Sequence, residues 1–263
     1  MADSLITVII PIYNGEKYAK ACLDNVMSQT YKHLEVIVVD DGSTDKTDEI
    51  IRGYPVKIIT HPKNKGLSAA RNSGIDAATG EYIHFVDVDD GINDVFYEEM
   101  VKAIVETRSD IACAGMVQKH KKYKTQRFKT QQLFTTTNDK LTITYVGKWG
   151  YVWRYLFRLD FLKKHNLRFE EGRFIEDLLF SLPAVYFSEK LVTVPKAEYR
   201  YNYSENSILT NREKNHRDKR RADKRHAKAQ VLSFAKQHNF KIPGVNTGRL
   251  SYIIRKYYRN IFS

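Results

Sequence analysis

Two aspartates, Asp87 and Asp89, are spaced so that a single ion could contact both. In an extended segment, side chains two residues apart point to the same side and lie about 7 Å apart. Two carboxylates at that distance repel each other by about 2 kcal/mol at an effective dielectric constant of about 20. A divalent cation turns this repulsion into attraction, and Mg²⁺ or Mn²⁺ also neutralises a substrate diphosphate. Aspartates that cap a following helix produce the same short pattern, so the spacing alone leaves both interpretations open.

A second acidic pair, Asp40 and Asp41, follows an apolar stretch of the sequence. A strand-to-helix turn with Ser43 or Thr44 as the helix cap explains the polar residues, but it does not explain adjacent carboxylates. One carboxylate could accept a hydrogen bond from the ring N–H of a pyrimidine base, and the ring of Tyr13 could stack on that base. The pattern therefore fits either a turn or a nucleotide pocket.

Three further charged residues stand in unusual surroundings. Arg71 lies near the start of a predicted helix that is rich in small residues. From there its guanidinium could reach a diphosphate or form an ion pair with one of the aspartates above, and the sequence favours neither. Glu176 and Asp177 lie between apolar residues. One of them could cap a helix, and a partly desolvated carboxylate also suits the role of a general base.

The elements that must position these residues alternate between strand and helix in the first 116 residues. Strands are predicted at 5–10, 34–39, 56–60, 82–86 and 111–116, and helices at 17–29, about 43–52, 68–78 and 95–108. Such alternation predicts a mainly parallel central sheet flanked by helices. Because ligands bind beyond the carboxyl ends of parallel strands, we expect the motifs above to meet at one edge of the sheet.

The second half of the chain gives a less regular pattern. Residues 118–140 are polar and basic, and they predict an exposed loop or an edge hairpin. The apolar pattern resumes at 141–146. Helices are predicted at 151–164 and 176–186, short strands at 191–194 and 198–203, and a mainly helical tail after them.

The composition indicates a globular protein. Of 263 residues, 42% are hydrophobic and 28% are charged, which supports a buried core and excludes wholesale disorder. Two cysteines exclude a disulfide framework. The sequence shows no apolar run long enough to span a membrane and no signal peptide at its start, so the expected location is the cytoplasm.

The net charge of +12 is concentrated near the end of the chain. Residues 211–263 hold 15 Lys/Arg and 3 Asp/Glu, whereas residues 1–210 hold 28 of each kind. Such a segment suits a solvated helical face, an anionic membrane surface or nucleic acid. No nucleic-acid motif accompanies the charge, so nucleic acid is the least favoured of the three and the membrane surface the most favoured.

Five segments, taken together, resemble the family 2 glycosyltransferases, which have the GT-A fold of nucleotide-diphospho-sugar transferases. They are VIIPIYNGEKY (8–18), VIVVDDGSTDKT (36–47), NKGLSAARNSGI (64–75), GEYIHFVDVDD (80–90) and RFIEDLLF (173–180). The resemblance covers residues 5 to about 205, and the ordered set is far more specific than any single member. It implies an α/β, Rossmann-like GT-A domain with a basic helical extension at 211–263.

The resemblance also implies a division of that domain. Residues 1–116 match the nucleotide-sugar-binding half. Residues 117–210 match the acceptor-side half, which contains the catalytic base. On the nucleotide side, the residues that match the uracil pocket or other nucleotide contacts are Pro11, Tyr13, Asp41, Asn64 and Arg71.

The remaining roles fall on the acidic motifs. Asp89 matches the protein ligand of Mg²⁺ or Mn²⁺, and Asp87 lies nearer the ribose or a metal-bound water. Asp177 matches the catalytic base. Trp149 and Trp153 fall in the region that contributes to the acceptor side, although a lone tryptophan is more often part of the core.

The activity implied by the resemblance is a metal-dependent, inverting transfer from a UDP-sugar. The acceptor would be a hydroxyl of a lipid-linked or polysaccharide glycan in cell-surface synthesis, and the basic tail would hold the enzyme at the inner face of the membrane. The chain lacks the Gln-x-x-Arg-Trp segment and the spans of processive synthases, so single-sugar transfer is expected. Residues 201–208 match the closing loop of the family only loosely.

Two alternatives remain open at this point. A sugar nucleotidyltransferase would have a similar sheet and similar acidic residues, but it would usually carry a glycine-rich basic loop near its start, where only Gly15 and Lys17 are present. A non-catalytic, basic surface-binding protein would have no need for Asp89.

Overall fold

One mixed sheet forms the centre of the molecule. The computed structural model describes residues 4–118, 125–202, 204, 210 and 212–243. Within that part, nine strands form a sheet in the order β3-β2-β1-β4-β8-β6-β9-β5, and β7 also pairs with β9. The strands are β1 (Ile6–Ile12), β2 (Leu34–Asp40), β3 (Lys57–Thr60), β4 (Tyr82–Phe85), β5 (Gly91–Ile92), β6 (Ile111–Gln118), β7 (Gln132–Phe134), β8 (Tyr155–Arg158) and β9 (Leu191–Tyr201).

Helices cover both faces of this sheet, as the sequence predicts. They are α1 (Ala19–Met27), α2 (Thr47–Ile51), α3 (Leu67–Ala77), α4 (Phe96–Thr107), α5 (Thr137–Thr144), α6 (Leu159–Lys164), α7 (Glu176–Phe187) and α8 (Lys214–Gln237), with a short 3₁₀ turn at Val152–Arg154. The predicted α/β fold with a helix in the C-terminal extension is confirmed. Residues 244–263 of that extension lie outside the described part.

The prediction of a mainly parallel sheet is confirmed, and the parallel pairs include β6 with β9. Strands β3, β2, β1 and β4 are parallel neighbours, and all seven residues of β1 are buried. Strands covered on both faces read as continuous apolar runs, which explains why they are recognisable in the sequence. Val8 and Ile10 face a core with α1 and α4, whereas Ile9 faces a core with α3, α7 and α8.

In the second half of the chain, two predicted elements differ from the structure. The helix predicted at 151–164 is wrong for residues 155–158, which form β8 and pair antiparallel with both β4 and β6. An apolar run of only three residues, Tyr155 to Phe157, does not distinguish a buried strand from a helix. The two short strands predicted near 191–203 are one strand, β9, with a register shift opposite Ala114 and Gly115. Pro195 lies at that irregularity, where a missing N–H is tolerated.

The predicted cap of the second helix is also wrong. Helix α2 begins at Thr47 and has Lys46 as its N-cap residue. Ser43 and Thr44 instead bind the loop after β1: the backbone N–H of Asn14 donates to Ser43 Oγ at 2.9 Å, and the N–H of Thr44 donates to Asn14 Oδ1 at 2.8 Å. The loops that follow β1 and β2 are therefore tied together.

Helix α3 approaches the sheet closely because Gly74 has no side chain. A Cβ atom at this position would lie 2.5 Å from Cγ2 of Ile9 on β1. This contact brings α3, which carries Arg71, against the centre of the sheet.

We expect Gly74→Ala to lower the free energy of unfolding by about 1–3 kcal/mol, because the added methyl group must displace buried Ile9. Urea denaturation measures the change. Gly91→Ala is the matched control, since its new Cβ would meet only Asn25 Oδ1 at 3.6 Å. Equal stabilities for the two variants would contradict the close packing of α3.

Candidate functional site

Three aspartates lie directly beyond the carboxyl end of β4. The end of β9 fixes their backbone, because the N–H of Asp87 donates to the hydroxyl of Tyr199 at 3.1 Å. Asn202 binds the other two: its N–H donates to Asp90 Oδ1 at 2.8 Å, and its Nδ2 donates to the carbonyl of Asp89 at 3.0 Å. The acidic motif is thus held rigidly at the predicted edge of the sheet.

The guanidinium of Arg71 joins this motif to the start of α7. Its Nη2 lies 2.7 Å from Asp87 Oδ1, and its Nη1 lies 2.7 Å from Glu176 Oε1 and 2.6 Å from Asp177 Oδ1. Of the two roles that the sequence left open for Arg71, the ion pair with the aspartates is the one observed. Contact with a nucleotide stays a prediction.

Exposure separates the members of this cluster. The side chains of Arg71 and Glu176 are only 1% and 4% exposed, whereas those of Asp87 and Asp177 are 25% and 23% exposed. A ligand in the cleft can therefore touch the two aspartates. Arg71 and Glu176 support them from inside the protein.

The site contains more negative charge than its single guanidinium neutralises. Burial and the charge of Asp87 raise the pKa of Asp89, and they raise the pKa of Asp90 well above its usual value. Burial also raises the pKa of Glu176 and of Asp177, although Arg71 opposes the shift in both. Removing these carboxylates from water without a full complement of cations costs free energy.

This chemistry fits a divalent cation shared with a substrate. Within the described ranges, no group of three His, Cys, Asp or Glu side chains is arranged to hold a metal ion. Mg²⁺, however, commonly uses one or two carboxylates and completes its shell with water and substrate phosphates. The buried Oδ2 of Asp90 has no hydrogen-bond partner, and Asp89 beside it is crowded by like charge. A cation at Asp89 would relieve that crowding of charge.

The predicted nucleotide side lies at the ends of β1 and β2. Ile12 pairs with Asp40 in the parallel register, so Tyr13 and Asp41 leave the sheet side by side. Tyr13 is 49% exposed and available for stacking. Pro11 is buried within β1, and Asn64 is exposed on the loop before α3.

Asp41 organises that loop. Its Oδ1 lies 2.6 Å from Nδ1 of buried His61 and accepts the N–H of Lys65 at 2.9 Å, and its Oδ2 accepts the N–H of Gly66 at 2.7 Å. A carboxylate has about four acceptor positions, so these three contacts leave one position on Oδ2. The side chain of Asp41 is only 4% exposed. Gly66 adopts a φ of +95°, a conformation suited to glycine.

Several residues of the site escape detection in the sequence. His61 is 20 positions from Asp41, and Tyr199 and Asn202 are more than 100 positions from the motif that they hold. Only Asp90 carries a local signal, as the third acid in four residues.

The two tryptophans belong to the core. Trp149 and Trp153 are 8% and 2% exposed, and Trp153 stacks on Tyr199 with ring centroids 4.1 Å apart. They do not offer an open face to an acceptor sugar. Trp153 instead supports the tyrosine whose hydroxyl binds the backbone of Asp87.

We expect Asp89→Asn to raise the melting temperature of the metal-free protein at pH 8 by about 3 °C, since about 1 kcal/mol of like-charge repulsion is lost. A carboxyl whose pKa is raised in the folded state stabilises the fold at low pH, and that contribution is lost as pH rises through the raised pKa. The gain should therefore shrink as the pH falls toward 4. Thermal unfolding with EDTA at several pH values measures it, with exposed Asp160→Asn on α6 as control. A less stable Asp89→Asn variant at pH 8 would contradict the crowding of charge.

The comparisons with known proteins agree with this geometry. Residues 7–172 match the family model described as glycosyl transferase family 2. That range contains Asp41, Arg71, Asp87 and Asp89 and ends before Asp177. The chain is 34% identical over 227 residues to glycosyltransferase GlyA of Streptococcus pneumoniae serotype 4, covering 79% of this chain and 32% of GlyA. It is 32% identical over 217 residues to the uncharacterized glycosyltransferase EpsJ of Bacillus subtilis, covering 78% of this chain and 62% of EpsJ. The chain thus spans less than two thirds of either relative.

Solved structures show the same fold. The crystal structure of S. aureus TarS 1–349 in complex with UDP-GlcNAc superimposes with a TM-score of 0.70 and 27% sequence identity, over 77% of this chain and 60% of that one. The mannosyltransferase PcManGT from Pyrobaculum calidifontis, in complex with GDP-Man and Mn²⁺, has a TM-score of 0.58 and 15% identity, over 99% and 81%. The latter likeness is one of fold alone.

Proposed function

The chain belongs to glycosyl transferase family 2, and we propose that it transfers a single sugar from a UDP-sugar to a hydroxyl of a glycan or lipid-linked acceptor with inversion of configuration. The likeness to TarS, whose structure contains UDP-GlcNAc, supports a uridine donor. In this proposal residues 1–116 bind the donor, residues 117–210 form the acceptor side, and residues 211–263 are an extension.

One observation carries the proposal: Arg71 holds Asp87 and Asp177, from opposite halves of the fold, against a single guanidinium. Donor-side and acceptor-side carboxylates then face one cleft. A nucleotidyltransferase with a similar sheet would need no such acid from α7. An inverting sugar transfer needs one near the acceptor hydroxyl.

Asp177 is the group that we assign as general base. Its carboxylate is partly exposed, so an acceptor hydroxyl can reach it, and its raised pKa strengthens it as a proton acceptor. Arg71 keeps Oδ1 in place and favours the ionised form. As Asp177 takes the proton, the acceptor oxygen attacks the anomeric carbon from the side opposite the diphosphate.

The donor is held by the remaining residues. Tyr13 stacks on the uracil ring, Asp41 accepts its N–H, and Pro11 and Asn64 line the same edge. Asp89 is the residue that would hold Mg²⁺ or Mn²⁺, which when bound stabilises negative charge on the departing diphosphate, and Asp87 lies nearer the ribose or a metal-bound water.

A panel of UDP-sugars, assayed with Mg²⁺ or Mn²⁺ for UDP release, tests the activity. We expect Asp177→Asn to retain UDP binding and to lose sugar transfer by about 100-fold or more, because the amide cannot accept the proton. Asp160→Asn, at the equivalent second position of α6, is the matched control and should transfer at the normal rate.

Three outcomes would refute the proposal. Normal transfer by Asp177→Asn excludes it as base. Pyrophosphate release from UTP and a sugar phosphate, in place of UDP release, identifies a nucleotidyltransferase. Metal-dependent UDP binding and turnover that survive Asp89→Ala would remove the proposed role of the acidic motif.

We also propose that the C-terminal segment, residues 211–263, binds an anionic membrane surface at the cytoplasmic face. Among the described residues, no helix is long and apolar enough to cross a membrane. Helix α8 instead carries exposed cations three or four positions apart, which places them in one stripe along the helix. These cations are Lys214, Arg217, Arg221, Lys224 and Lys228.

We expect the double variant Lys224→Gln/Lys228→Gln to bind vesicles containing phosphatidylglycerol about 30-fold more weakly, since each lost cation contributes about 1 kcal/mol near such a surface. Co-sedimentation with and without phosphatidylglycerol measures the change. Lys32→Gln/Lys102→Gln, two exposed lysines of the body, is the control for net charge. Equal losses in the two double variants would refute a binding face on α8.

A further inference from the structure

Helix α8 carries one buried carboxylate, Asp223, on the side that faces the protein. Its side chain is only 2% exposed, in a helix whose other side is covered with exposed cations. A buried aspartate is rare unless hydrogen bonds satisfy it. Its partners show what the helix does beyond presenting charge.

The hydrogen bonds of Asp223, made directly or through Lys219, hold the loop that precedes α7. Oδ2 accepts the backbone N–H of Phe174 at 3.1 Å, and Oδ1 accepts Nη1 of Arg173 at 3.0 Å. Lys219, one turn earlier on α8, donates to Oδ2 at 3.1 Å and to the carbonyl of Gly172 at 2.5 Å. Burial raises the pKa of Asp223, but these hydrogen bonds outweigh it and hold that pKa below its usual value.

Further contacts extend this clamp along the same loop. The ammonium of Lys219 lies 4.6 Å from the ring centroid of Phe174, and Nε2 of His226 lies 2.9 Å from Glu170 Oε2. Residues 170–174 are therefore bound to α8 over more than two of its turns.

The start of the loop is fixed by α3. Asn72, which follows Arg71, donates from Nδ2 to the carbonyl of Phe169 at 3.0 Å, and its Oδ1 accepts the N–H of Phe169 at 3.0 Å. Thus α3 fixes the loop at one end and α8 fixes it at the other.

The first turn of α7, which follows this loop, has no capping side chain. Helix α7 begins at Glu176, and its N-cap residue, Ile175, makes no side-chain capping hydrogen bond. Gly172, with a φ of +78°, turns the chain just before. Arg71 binds the side chains of Glu176 and Asp177 in that turn, whereas the backbone that leads into it is held through residues 172–174.

We propose that Asp223 is a positioning residue, which places Asp177 for proton removal by fixing the loop ahead of α7 from helix α8. The inference rests on the proposed role of Asp177 as base. It assigns to the C-terminal helix a catalytic purpose that lies outside the range matched by the family model. A displacement of about 1 Å at a reacting group can lower a rate by about 100-fold, so a clamp of this kind matters to turnover.

Steady-state kinetics of the full chain test the proposal, with the UDP-sugar that the donor panel identifies. We expect Asp223→Ala to lower kcat by about 10- to 100-fold, to leave KM for the donor within about twofold, and to shift the acidic limb of the kcat–pH profile. Asp223→Asn, which can still accept the N–H of Phe174, should recover part of the loss. Asp218→Asn, on the exposed side of α8, is the control and should leave kcat unchanged.

Two results would overturn the proposal. One is an unchanged kcat per folded molecule in Asp223→Ala. The other is a loss of kcat in Asp223→Ala that is equal at every pH and proportional to the fraction of unfolded protein, with no recovery of kcat in Asp223→Asn. If Asp223→Ala does not fold, the Asp223→Asn variant decides, because a normal kcat and pH profile there would also refute the clamp. Inactive Asp177→Asn with fully active Asp223 variants would reject only this inference, whereas active Asp177→Asn would reject the proposed function itself.

Discussion

A single buried guanidinium determines how the site is assembled. Arg71 comes from α3, Asp87 from the end of β4, and Asp177 from the start of α7, and the guanidinium contacts both carboxylates. A buried charge is tolerated when several partners surround it, and removing it would leave the carboxylates uncompensated. The planar fork of arginine suits this task, because two nitrogens can address separate acids.

The carboxylates around Arg71 outnumber the one guanidinium that pairs with them, and this excess of negative charge lowers the stability of the folded protein. Carboxylates with raised pKa values lower the stability of the fold at neutral pH, and a cation with a diphosphate would relieve that cost. Sites of this type trade folding stability for binding. Rigid support from Tyr199 and Asn202 prevents the acids from relaxing apart.

Much of this arrangement is predictable where the signal is local. The parallel strands β1 to β4 are continuous apolar runs, and the acidic motifs sit at their ends, so the fold and the edge that bears the motifs follow from the sequence. Strand β8 does not, because three apolar residues fit a helix equally well. The ion pairs of Arg71 with Glu176 and Asp177 likewise join residues more than 100 positions apart, which one sequence does not encode visibly.

Helix α8 belongs to the same core as the elements that carry the site. Ala227, Val231 and Ala235 are buried, and the last two pack in the cluster that includes Phe180 and Val185 of α7. A shortened chain that ended before α8 would leave that apolar surface of α7 in contact with water, and self-association is the usual result. Relatives whose C-termini diverge must therefore cover α7 with some other segment, so swapping tails between them would exchange core packing as well as surface charge.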